Sequence, residues 1–137
     1  VTLRIRCLQC AVRQSAPCST LTTETANDLA RIVHRRRIPA GQILYGGLNQ
    51  PKTFSIIVEG VVKLVNVQPD GSNQIVGLQF PSEFVGRPFA EGAPLLAEAA
   101  TDLDVCAFSG SAFEAQMQQH PDLERTIFKR TLDDLDA

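Results

Sequence analysis

From Ile43 to Phe108 the chain is cut into short apolar stretches by glycine, proline, asparagine and aspartate, and this punctuation limits its fold more than any other feature. The stretches are Ile43-Leu44-Tyr45, Phe54 to Val58, Val61 to Val65 and Gln74 to Leu78. Each has the length of a strand and is too short for a helix that buries one face. Pro69-Asp70-Gly71-Ser72 predicts a hairpin turn, and Gly46-Gly47 and Gly60 mark further reversals. A last strand is expected from Thr101 to Phe108, where Leu103, Val105 and Ala107 alternate with Asp102, Asp104 and Cys106. The two-residue period puts Cys106 on the face opposite the core residues, directed toward something packed on the barrel. The N-terminal loop is the candidate. Many short strands at close spacing predict an antiparallel sandwich or roll.

Helices flank this region. Thr22 or Thr23 caps the first, with Glu24 in its positive first turn and Ala26, Leu29, Ile32 and Val33 forming one apolar face. It should end near Val33 or His34. Arg35, Arg36 and Arg37 read as a solvated helix end or strand rather than an anion site, before Pro39 and Gly41 break the pattern. Helix returns at Ser111-Ala-Phe-Glu114, which has the form of a capping box, and should reach Gln119 before His120-Pro121 interrupts it. From Asp122 to Asp136, Leu123, Ile127, Phe128, Leu132 and Leu135 are expected on one stripe, fit for core packing or for a helix–helix dimer seam. Helix, β-roll and two helices make an α+β chain. His34 and His120 are isolated and read as solvated or capping residues rather than ligands.

The function classes narrow by exclusion. A chain of 137 residues fits one domain, and a net charge of −2 without a polybasic tract marks no nucleic-acid surface. No apolar run approaches the ~18 residues of a membrane span, and Val1 to Cys7 are not followed by a signal-peptide core, so a cytoplasmic domain is expected. There is no Ser-His-Asp set, Walker loop or H-E-x-x-H motif. Asp133, Asp134 and Asp136 fall near a helix C-terminus, where the dipole disfavours them, so they are poor acid–base candidates. The reading is not an enzyme.

The cysteines carry the chemistry. Cys7, Cys10 and Cys18 form C-x2-C-x7-C, and Cys106 lies far downstream. Without an export signal, a disulfide framework is disfavoured and metal or redox chemistry gains weight. Two thiolates converge from a Cys-x-x-Cys turn, Pro17 redirects the chain toward Cys18, and Cys106 could supply the fourth corner. Structural zinc and an iron–sulfur cluster both take four thiolates, and spacing does not choose between them. Arg4, Arg6 and Arg13 would offset the negative charge of such a centre, or are simply solvated.

A family resemblance bears on that choice. Ile57-Val-Glu-Gly60-Val-Val-Lys63-Leu64, Pro69 to Phe80 and Glu83-Phe-Val-Gly86 resemble the effector domain of Crp/Fnr transcription regulators, and Ile38-Pro-Ala-Gly41-Gln-Ile-Leu-Tyr45 resembles the opening of its β-roll. The three N-terminal cysteines with Leu103-Asp-Val-Cys106 are similar to the oxygen-sensing Fnr branch, particularly alphaproteobacterial Fnr-like regulators. The resemblance implies a [4Fe–4S] cluster on Cys7, Cys10, Cys18 and Cys106, and a sensory domain that couples the cluster to dimerisation and DNA binding. It implies residues 1–20 as a cluster-binding loop, 21–120 as the β-roll effector domain and 121–137 as the start of a dimerisation helix. It further implies a homodimer in the full-length protein, DNA contact through a helix-turn-helix domain missing from this chain, contact with RNA polymerase, and no membrane. Besides the missing helix-turn-helix domain, the nucleotide pocket departs from the family's pattern. Gly86-Arg87 stands where cyclic-nucleotide-binding members have Gly-Glu, and Ala93 to Ala100 holds no arginine for a cyclic phosphate. No cyclic nucleotide is therefore expected. The alternatives are a Crp-type effector domain with incidental or zinc-binding cysteines, and a small iron–sulfur electron-transfer protein.

Overall fold

The computed structural model describes residues 21–46, 52–88 and 95–136, with side chains described as far as residue 130. Thr22 starts the first helix, α1 (Thr23–Ile32), by accepting the Thr25 backbone N–H at its hydroxyl, 3.3 Å away. Glu24 lies in the positive first turn and Arg31 in the last. The arginine run that follows is strand, β1 (His34–Ile38). Then come β2 (Ile43–Tyr45), β3 (Thr53–Glu59), β4 (Val62–Val67), β5 (Asn73–Gln79), β6 (Phe84–Val85), β7 (Leu95–Ala99) and β8 (Leu103–Ser109). Two helices close the described chain, α2 (Gly110–Gln119) and α3 (Pro121–Asp136).

The strands form two antiparallel four-stranded sheets, ordered β1-β8-β3-β6 and β2-β7-β4-β5. The expected turn joins β4 to β5. Gly71, at φ +88°, donates to the Gln68 carbonyl at 2.9 Å, and the Asp70 carboxylate accepts the Ser72 N–H and hydroxyl at 2.9 and 2.6 Å. The Ser72 hydroxyl first, and its backbone N–H second, hold the Asp70 carboxyl below its ordinary range.

One sheet faces the other with an aliphatic interior: Ile38, Leu44, Ile57, Val62, Val85, Ala97, Ala99, Leu103, Val105 and Ala107. The first sheet is buried on its other face as well, where the helices pack on Phe54, Ile56, Phe84 and Phe108. That is why Phe54, Ser55, Ile56 and Ile57 are buried one after another along β3. Double burial replaces alternation there. At the far edge of the second sheet, β5 leaves Ile75, Val76 and Leu78 exposed.

Two sequence expectations change on the helices. Ser111 and Glu114 do not form a capping box. α2 starts one residue earlier, at Gly110, with no side-chain bond at its cap, and Glu114 pairs with Lys52 Nζ at 2.7 Å. The single stripe on α3 also divides. Leu123 and Ile127 enter the helix-side core, whereas Phe128 is 64% exposed. Positions four apart share a helical face, and the adjacent residue is turned by about 100°. The side chains of Leu132 and Leu135 lie outside the described residues.

Candidate functional site: the helix-facing side of strand β8

Cys106 is in the middle of β8, opposite Arg35 of β1 and Ile56 of β3. Leu103, Val105 and Ala107 are 1%, 0% and 4% exposed inside the roll, so the alternation turns Cys106 to the other face. That face is partly covered by the helical layer, and Cys106 packs half-buried against the aromatic core together with Leu21, Ile32 and Val58. The thiol forms no disulfide among the described residues.

Charge lies close by. Arg35 clasps Asp104 with two bonds, Nε to Oδ1 at 3.2 Å and Nη2 to Oδ2 at 2.5 Å. Arg35, Asp104 and Cys106 share one face of the β1–β8 pair, since Arg35 is the direct neighbour of Cys106 and Asp104 lies two residues along. The surroundings of the thiol are thus one ion pair at the rim and apolar side chains beneath.

Cys7, Cys10 and Cys18 lie outside the described residues. Among the described residues no three His, Cys, Asp or Glu side chains converge on one point. Leu21, three residues after Cys18, packs into the same aromatic core as Cys106. A three-residue span covers at most about 10 Å.

Sequence reasoning overlooked a second arrangement beside this one, the junction of α1 with α2 and α3. His120 caps the end of α2, donating its backbone N–H to Gln116 O at 2.9 Å, and its ring Nε2 meets Asp28 Oδ2 of α1 at 2.8 Å. The Asp122 carboxylate accepts the Thr22 N–H at 3.2 Å and the Thr25 hydroxyl at 2.9 Å. The signal was present as Thr-x-x-Thr ahead of a helix and His-Pro-Asp between two others, but only the fold brings them together.

The segment after β6 is described as far as residue 88. Gly86 has φ +130°, and a Cβ there would run into the Phe54 ring. Arg87 is exposed, and its carbonyl accepts the Tyr45 hydroxyl at 3.3 Å. Ala93 and Pro94 lie outside the described residues; Leu95 to Ala99 form β7. A separate cleft of about 470 Å³ opens where β1, β2 and β3 approach one another, and Arg36 is the cation among its described lining residues, with Gln42, Thr53 and Ser55. One guanidinium and two hydroxyls make a weak anion site and no fork of cations.

The described residues thus form a two-sheet roll capped by helices on one face, with Cys106 under the cap. The profile of the cyclic nucleotide-binding domain matches residues 35–120. The chain belongs to that family. It is 38% identical over 133 residues, 97% of this chain and 55% of the relative, to a protein of Rhizobium leguminosarum bv. viciae described as "Probable transcriptional activator". It is 35% identical over 136 residues to the transcriptional activator protein FnrL of Cereibacter sphaeroides, covering 99% of this chain and 55% of that one. The chain therefore spans about half the length of these relatives. In fold it is similar to the sensor domain of the transcriptional regulator DNR from Pseudomonas aeruginosa, with a TM-score of 0.72, 16% identity, and coverage of 93% of this chain and 89% of that one. Among the described residues no helix is long and apolar enough to cross a membrane.

Proposed function

We propose that this chain is the sensory part of an Fnr-like transcription regulator, with Cys7, Cys10, Cys18 and Cys106 as ligands of an oxygen-labile [4Fe–4S] cluster. The observation that carries the reading is the position of Cys106: half-buried, turned to the helix-facing side of β8, and packed on the same core that receives Leu21 just after Cys18. The donor set fits the group. Four thiolates satisfy a [4Fe–4S] centre, and the half-buried position of Cys106 limits access of water. When bound, the cluster would supply a centre that oxygen degrades. The chain's own residues would do the rest. Cys106 fixes one corner to a strand that cannot move without disturbing two cores, and the other three corners belong to the segment ahead of α1. Cys7, Cys10 and Cys18 would tie the segment ahead of α1 to β8 through the bound group, and its state would bear on dimerisation through α3 and on DNA binding through a further domain. RNA polymerase contact and a cytoplasmic location belong to the same reading.

The test is chemical. Air-free protein should hold about four iron and four sulfide per chain by the stoichiometry of the proposed centre. Cys106→Ser should lose most of both while keeping its circular dichroism and a cooperative thermal transition. Stoichiometric zinc without sulfide in iron-replete, air-free material would overturn the cluster. Full iron and sulfide in Cys106→Ser would remove this residue from the ligand set.

A further inference from the structure

We propose that Asp122 is a positioning residue that locks the first turn of α1 to the first turn of α3, so that the two helices shift as one body. Three observations support it. The Asp122 carboxylate reaches across the helix layer with both oxygens, one to the Thr22 N–H and one to the Thr25 hydroxyl. Thr25 is 1% exposed, and its hydroxyl, which accepts the Thr22 hydroxyl at 3.1 Å, donates its own proton to Asp122. Further along α1, Asp28 meets the ring of His120 in the turn between α2 and α3, and the His120 carbonyl accepts the Leu123 and Glu124 N–H groups at 3.0 and 3.2 Å and so starts α3. One short stretch, His120 to Asp122, therefore both begins α3 and grips α1.

The consequence is directional. Thr22 is four residues beyond Cys18, and Phe128 stands exposed one face further along α3. A displacement of the chain ahead of Thr22 reaches α3 by way of Asp122, beside the apolar route through the core that Leu21 shares with Leu123 and Ile127. This extends the proposed function by naming the link between the cysteine segment and α3, and it rests on that reading in one arm of the test only.

The test uses amide exchange on the 137-residue chain, comparing the parent, Glu24→Gly, Asp122→Ala and the double variant. Glu24 is exposed, and glycine there loosens the first turn of α1 without touching the clasp. Ala26, whose N–H bonds the Thr22 carbonyl, reports on α1, and Leu123 and Glu124 report on α3. In the parent background Glu24→Gly should speed exchange several-fold at all three amides. In the Asp122→Ala background it should still speed Ala26 but change Leu123 and Glu124 less than twofold. If Leu123 and Glu124 ignore Glu24→Gly in the parent, or respond equally without Asp122, the lock is wrong. Thr25→Val takes the place of Asp122→Ala should the latter not fold, and should reduce the transmitted effect in the same direction. In the second arm, iron and sulfide are added without air. Protection of Leu123 and Glu124 in the parent, lost in Asp122→Ala, supports the link; equal protection in both overturns it. Failure of iron and sulfide to bind at all overturns the cluster and leaves the helix result to stand by itself.

Discussion

Inside the roll, the packing is made by branched aliphatic side chains and alanines, Ile38, Ile57, Leu103, Val105 and Ala107 among them. On the opposite face of the same sheet it is made by rings. Phe54, Phe84, Phe108 and Phe113 stand with centroids 5.1 to 5.7 Å apart, and Met117 fills beside them. The difference follows from what each core must join. Two sheets linked by short turns approach closely, and small branched residues fit between their pleats. Helices on a sheet leave larger, uneven gaps, which rings and an unbranched methionine fill. The aliphatic core thus defines the roll, and the aromatic core decides whether the helices are attached to it. Cys106 and Leu21 belong to the second.

Breaking the aromatic core should have the largest effect. Phe113 is 1% exposed and touches three other rings, so Phe113→Ala should cost about 3–5 kcal/mol in denaturant unfolding. Helical circular dichroism should fall in that transition before the strand signal does. A single coincident transition would mean that the two cores are one cooperative unit. Leu103→Ala in the roll should cost about 2–5 kcal/mol, with the helix and strand signals lost together, because the layer on which the helices rest is itself undone. Helix loss ahead of strand loss in this variant would reverse the comparison.

The smallest effect sharpens the comparison at its polar edge. Partial burial pushes the Asp122 carboxyl upward, but the Thr22 N–H, the Thr25 hydroxyl and its own helix's N–H groups together hold it below its ordinary value. A depressed carboxyl contributes stability that is present above the unfolded value of about 4 and is lost as pH falls through the folded value. Melting temperatures should therefore decline on acidification below about pH 4, and Asp122→Asn should flatten that decline. Parallel pH profiles for the two proteins would show that the clasp contributes nothing measurable.

Much of the roll was legible because turn chemistry is local. Pro69-Asp70-Gly71-Ser72 carries its own hydrogen bonds, and Thr22 caps α1 from within four residues. The alternation in β8 likewise told which side Cys106 takes. What escaped notice depended on partners distant in sequence. Glu114 looks like a capping residue until Lys52, 62 positions earlier, claims it. Phe128 looks like core beside Ile127 until the packing partner of α3 fixes which of two adjacent faces is inside. The polar link from Asp122 to Thr22 joins residues 100 apart, and no periodicity announces it. As for the candidate site, the sequence told which side of the sheet Cys106 takes, but not the helical cover above it.

Gly86 and Gly71 both sit at positive φ, yet they differ in what a lineage could do with them. Around Gly71 nothing lies within 4 Å of the missing Cβ, so an asparagine, which tolerates that backbone region, is a viable step for sequence drift. At Gly86 the same step meets a fully buried ring that is itself wedged among three others. Escape would require Phe54 to shrink in the same generation, and a smaller residue there empties the heart of the aromatic core. A change at Gly86 thus depends on a residue 32 positions earlier in sequence.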